Sequence, residues 1–157
     1  MAYHCVAFIL IAQPCFEKFQ SPKTADAIWM AVMAAIGYKT LDGTLNKWVA
    51  AALWLGNGAQ FWLAPKSGID LYEMKGVSKL GKAMIRMLGS QFLCVGTYLA
   101  ALLKDKSQTE AFAYAMAVNG LTAAKFAFTD ADDLNVPKAG PLAWTALSGA
   151  LAYKALN

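Results

Sequence analysis

Apolar positions along this chain gather into long stretches from which charge is missing. Trp48 to Ala64 carries no charge for 17 residues, and Met87 to Leu103 for another 17. Ala111 to Ala124 gives 14, continued past Lys125 by Phe126 to Phe128, and Ala139 to Tyr153 gives 15. A membrane-spanning helix needs about 20 mostly apolar residues, within a usable range of roughly 17–25. The first two stretches reach that range unaided. The other two reach it when their flanks count, because Lys125 and Lys154 lie near segment ends and their stems can carry the ammonium to the interface.

The punctuation between these stretches is helical. Leu41-Asp42-Gly43-Thr44 makes a turn, Pro65 stops the first apolar run, and Ser107-Gln108-Thr109-Glu110 fits a capping box ahead of the third. Pro137 and Pro141 open the fourth after the acidic run Asp130-Ala131-Asp132-Asp133. The pattern predicts an all-α chain: an integral membrane four-helix bundle over residues 46–157, with spans at 46–64, 83–103, 109–128 and 139–156. Trp48 and Trp62 stand near the two ends of the first span, as interfacial aromatic belts require. Between the first two spans, Asp70 to Met74 is expected to form a short helical turn.

Residues 1–45 read as an N-terminal interfacial helical region. Tyr3 to Ala12 is an apolar run too short to span and without a preceding Lys or Arg. It reads as a buried or interfacial helix, with a remnant targeting segment as the alternative. Ser21-Pro22 then gives a helix start, and Ile28, Trp29, Val32, Met33 and Ile36 follow on helical spacing between Lys23 and Lys39. This is expected to be an amphipathic helix lying on the membrane surface or against the bundle.

Composition sharpens the picture. Hydrophobic residues make up 58% and charged ones 15%, against roughly 25% charged in soluble domains. Four such segments in a compact soluble all-α protein, the competing fold, would leave too little polar surface to cover them. The net charge is +4, but the basic residues sit in loops or beside span ends. Contact with lipid headgroups or acidic partner loops is expected, and nucleic acid is not. Basic residues divide seven against seven between the two sides, so charge does not set the orientation. Three cysteines without a C-x-x-C suggest neither a disulfide framework nor a zinc site.

Candidate chemistry lies in the polar residues of the predicted spans. Asn57 and Gln60 share a face of the first; Arg86, Ser90, Cys94 and Thr97 make a stripe on the second, with Gln91 pointing elsewhere; Asn119 lies mid-way along the third beside Gly120. Read structurally, they hydrogen-bond between helices brought close by small pairs such as Ala113/Ala117, Gly120/Ala124 and Thr145/Gly149. Read functionally, His4, Asn57, Gln60, Gln91 and Asn119 contact or ligate a cofactor such as chlorophyll, whose magnesium accepts an axial oxygen or nitrogen. His4 is the only histidine, which excludes a paired-histidine haem clamp, and Glu110 and Asp130 only bracket the third helix, whereas a proton relay would require a carboxylate mid-span. No catalytic or metal-ligating set is expected.

From Trp48 onward, the first span ending at Pro65, the polar connection containing Tyr72, the run Arg86-Met87-Leu88-Gly89, the later Gly96 and two Ala/Gly-rich helices form a layout that resembles the DoxX-like group of small four-helix membrane proteins. The resemblance implies the four-helix membrane fold, and a stand-alone oxidoreductase or small-molecule carrier with a cavity lined by Arg86, Ser90, Cys94 and Gln91. The residues themselves point first to a non-catalytic accessory subunit of a larger membrane assembly. That assembly is expected to be photosynthetic and in the thylakoid membrane of a plastid, with chlorophyll, carotenoid and structural lipid at the helix surfaces and other integral membrane subunits as partners. A respiratory-chain subunit of the mitochondrial inner membrane is the further alternative.

Overall fold

The computed structural model describes residues 23–71 and 74–157, and among these every regular element is a helix. Helix α1 is Lys23–Leu41, α2 Lys47–Leu63, α3 Pro65–Leu71, α4 Lys79–Leu103, α5 Gln108–Thr129 and α6 Ala139–Leu156. The apolar run at Tyr3–Ala12 and the expected cap at Ser21-Pro22 lie outside the described residues.

Each start has a local cause. The Asn46 side chain accepts the Trp48 amide at 3.0 Å and begins α2. The Ser78 hydroxyl accepts the Gly81 amide and begins α4 at Lys79, four residues ahead of the start expected for the span. Ser107 and Glu110 close the expected capping box on α5. Pro65, which has no N–H to continue α2, opens α3 instead. The short helix occupies Pro65–Leu71 and folds back so that Gly68 lies on the Phe61 ring; it takes in Asp70 and Leu71 of the turn expected at Asp70 to Met74, of which residues 72–73 lie outside the described residues.

Helices α2, α4, α5 and α6 run alternately up and down. Along α4, Gly89 lies against Trp62 and Phe61, Gly96 against Leu55, while Gly58 of α2 faces Leu93, so α2 and α4 are antiparallel and close at the backbone. Ion pairs from Lys79 and Arg86 to Asp133 and Asp130 set the start of α4 beside the end of α5. Gly120 of α5 meets Thr145 and Ser148 of α6. The extensive contacts are α2 with α4, α4 with α5 and α5 with α6. The first and last of the four do not close on one another, so the expected bundle is an open row. Each terminal helix offers one stripe of small residues, Ala50, Ala51 and Gly58 on α2, Ser148 and Ala152 on α6, and that stripe is already used by its neighbour.

What is buried is small. Among the described residues the buried hydrophobic set is nine alanines and Phe61, and the sole large ring lies where α3 folds over α2. Leu63, Met84, Phe112, Leu121, Phe128, Leu147 and Tyr153 are exposed. One described helix, α4, is long and apolar enough to cross a membrane, and 22% of its most apolar 18-residue stretch is buried within the chain.

Two expectations about the interior need correction. Apart from Arg86, which reaches Asp130, the polar side chains with a described bond stay on their own helix: Asn57 donates to the Leu53 carbonyl, Ser90 to Met87, Thr122 to Asn119 and Thr145 to Pro141. Backbones this close leave short hydroxyls nearer to their own preceding turn than to the facing helix. Of the small pairs, Ala113 and Gly120 are buried, but Ala117 is exposed because α5 faces two neighbours and Ala117 turns toward neither. Helix α1 makes no extensive contact with another helix, and Ile28 and Val32 on its apolar face stay exposed.

Candidate functional site

One end of the row carries a groove of about 400 Å³ into which α2, α4, α5 and α6 all reach. Its size falls within the range of small-molecule sites. The antiparallel order puts the end of α2, the start of α4, the end of α5 and the start of α6 at one level. Trp62, Met87, Phe126 and Trp144 form its apolar walls.

The polar lining comes from α4 and α5. Arg86, Ser90 and Gln91 enter from the first, and Asn119, Thr122, Lys125 and Asp130 from the second. Residues 86, 87, 90 and 91 sit at positions i, i+1, i+4 and i+5, the spacing of a broad strip on one helix face. This corrects the expectation that Gln91 points away from Arg86 and Ser90: the strip spans both positions. Cys94 and Thr97 continue toward the far end and do not line the groove.

Electrostatically the groove divides in two. Asp130 caps the C-terminus of α5, the negative end of its dipole, and is buried. The cost of a carboxylate there is offset by its ion pair with Arg86, whose side chain is 22% exposed against 10% for Asp130. The neighbouring carboxylates are also engaged, Asp133 by Lys79 at 3.1 Å and Asp132 by Lys138 at 2.8 Å. Lys125 has no ion pair among the described residues; its ammonium rests 4.3 Å from the centroid of the Trp62 ring. The lining charges Arg86, Lys125 and Asp130 therefore leave one positive charge over. The side-chain amides of Gln91 and Asn119 make no hydrogen bond to another described residue, whereas the Ser90 and Thr122 hydroxyls are spent on their own helices.

Of the five residues singled out by sequence, Gln91 and Asn119 come together here. Asn57 and Gln60 lie on α2 outside the lining, and His4 lies outside the described residues. Sequence reasoning missed the Arg86–Asp130 pair, reading Asp130 as part of the acidic run that follows the third helix, and missed Lys125 as a lining residue. The hairpin of α4 and α5 held the signal for the first: an antiparallel pair sets the start of one helix beside the end of the next. Among the described residues no group of three His, Cys, Asp or Glu side chains could hold a metal ion.

Fold and groove together define, among the described residues, an all-helical arrangement with a small-residue interior, one helix long and apolar enough to cross a membrane and an amphipathic groove carrying one unneutralised cation. No protein-family model, curated protein or solved structure matches it.

Proposed function

We propose that this chain is an integral membrane accessory subunit, its helices α2, α4, α5 and α6 crossing the bilayer and its outer faces packing against other subunits, lipid and pigment. The observation that carries the reading is the distribution of side-chain size among the described residues: alanine, glycine, serine and threonine make up most of the interior, with Phe61 its one large hydrophobic side chain, while Leu63, Met84, Phe112, Leu121 and Phe128 face outward. In water, large apolar side chains go inward because burying each one stabilises by about 1.5–3 kcal/mol. In lipid that drive vanishes, and helices associate through small residues that let backbones approach. Helices α2 and α6, with 17 and 18 residues, rise about 26 and 27 Å. They fit a hydrocarbon core of about 30 Å with slight thinning or with their interfacial flanks included.

The open row supports a subunit over a self-contained carrier, since an enclosed path needs the first and last helices to close. The assembly proposed is a photosynthetic one in a thylakoid membrane, chlorophyll and carotenoid lying along the exposed apolar faces; a respiratory-chain complex of the mitochondrial inner membrane is second. A stand-alone carrier of the DoxX-like kind draws on one observation, that Arg86, Ser90 and Gln91 line the groove.

Mild-detergent extraction of native membranes, followed by a native gel and absorption spectroscopy, separates these readings. Comigration with a large pigmented complex is the expected result. A small colourless band refutes the subunit and favours the carrier, and a chain that stays monodisperse without detergent refutes both.

A further inference from the structure

The groove's charge and its unpaired amides specify a ligand more closely than its position does. Lys125 is the cation left over once Arg86 is matched by Asp130. Its contact with the Trp62 ring occupies one side of the ammonium, and an ammonium has three donors. Deeper along the same walls, Asn119 lies six residues before Lys125 and Gln91 five residues beyond Arg86, which is about 9 Å and about 7.5 Å along the helix axes. Trp62, Met87 and Phe126 wall the end of the groove that holds Lys125, and the two amides lie farther in along α4 and α5. From one end the lining thus reads a cation among apolar side chains, then two amide donors.

We propose that the groove holds one acidic glycerolipid of the surrounding membrane. Its headgroup anion meets the Lys125 ammonium beside Trp62, Met87 and Phe126, its ester carbonyls accept from the Gln91 and Asn119 amides farther in, and its acyl chains leave the groove over the exposed apolar faces of the helices. This rests on the reading of the chain as a membrane protein. Charge complementarity selects the occupant: a neutral lipid leaves Lys125 without a counter-charge, and a pigment tail leaves the amide N–H groups unpaired, which costs the desolvation of each. Lys125 lies one turn from the end of α5, at the depth where a lipid headgroup sits and where Trp62 and Trp144 form the interfacial belt.

Native mass spectrometry of the full chain, purified and delipidated in detergent, tests the assignment with phosphatidylglycerol and phosphatidylcholine of identical chains. Phosphatidylglycerol is expected to bind about tenfold more tightly or better, the effect of one charge-assisted hydrogen bond. Lys125→Gln should abolish that preference, Lys125→Arg should keep it, and Lys104→Gln at the far end of the row should leave it unchanged. Ether-linked phosphatidylglycerol, which lacks the ester carbonyls, should bind more weakly. Equal binding of the two headgroups overturns the proposal, as does a preference that survives Lys125→Gln. Oleate binding as tightly as phosphatidylglycerol also overturns it, assigning the groove to a free fatty carboxylate instead. If Lys125→Gln fails to fold by circular dichroism, the arginine variant and the ether lipid still decide. A chain that needs detergent yet shows no headgroup preference refutes the lipid site while leaving the membrane reading intact.

Discussion

Replacing Gly89 by alanine isolates the contact on which the α2–α4 pairing depends. A methyl group there would lie 2.5 Å from the Trp62 nitrogen, and 2.9 Å from both the Gly58 oxygen and the Phe61 carbonyl carbon, where ordinary contact begins near 3.4 Å. All three atoms are backbone, so no rotamer change relieves the overlap and α2 must retreat from α4 by nearly an ångström. Gaps of that size forfeit about a quarter to a half of each atomic contact along the interface. Overpacking of a close-packed core costs about 1–3 kcal/mol, and rigid surroundings place this site at the upper end. Alanine returns about 1 kcal/mol through its greater helix propensity. The net loss of about 2 kcal/mol corresponds to a melting temperature lower by about 4–8 °C for a chain of this size.

Gly56, on the same helix as Gly58, has nothing within 4 Å of the place a methyl group would take and serves as the control. Its alanine variant keeps the propensity gain and should melt about 2–4 °C higher. Thermal unfolding of both variants by circular dichroism in one detergent reads the difference. If Gly89→Ala melts at or above the parent, the helices do not approach as closely as described, and the small-residue account of the interior fails.

Arg86→Met should strand the buried Asp130 carboxylate and cost about 3–5 kcal/mol, whereas Arg86→Met with Asp130→Leu should recover most of the loss; a double variant no more stable than the single one refutes the pairing. Ser107→Ala removes one half of the capping box and should destabilise by about 1 kcal/mol, read as a lower melting temperature and faster amide exchange at Glu110. The Thr44 hydroxyl and amide hold the Asp42 carboxyl below its ordinary 3.8. A carboxyl whose folded value is depressed stabilises the turn above that ordinary value and ceases to as pH falls through the folded one. Amide exchange at Thr44 should therefore be protected at neutral pH and lose protection below 3.8. Unchanged protection in acid counts against the turn.

Helix positions were legible because their causes are local. The charge-free runs mark which segments are helical, and Asn46, Ser107 and Pro65 act on groups within one turn of themselves, so α2 and α5 begin and end close to where the chain implies. The start of the short helix at Pro65 was missed because proline was read only as a stop, although its fixed backbone angle equally suits a first helical turn. Asn57 shows where the local pattern misleads. Its amide marks a polar position, but the side chain satisfies itself on Leu53, and nothing in the spacing distinguishes that from a bond across helices.

The order of residues by itself determined that this chain is helical, rich in apolar surface and poor in catalytic groups, because periodicity, capping and composition act within a helix. Only the tertiary structure decided that Gly89 meets Trp62, that Arg86 meets Asp130, and that Gln91, Asn119 and Lys125 share one groove. Those contacts depend on how far one helix slides and turns against the next. A slide of one residue moves a side chain by about 1.5 Å and about 100° around the axis, and that choice is made by the fit of whole helix faces rather than by any single position.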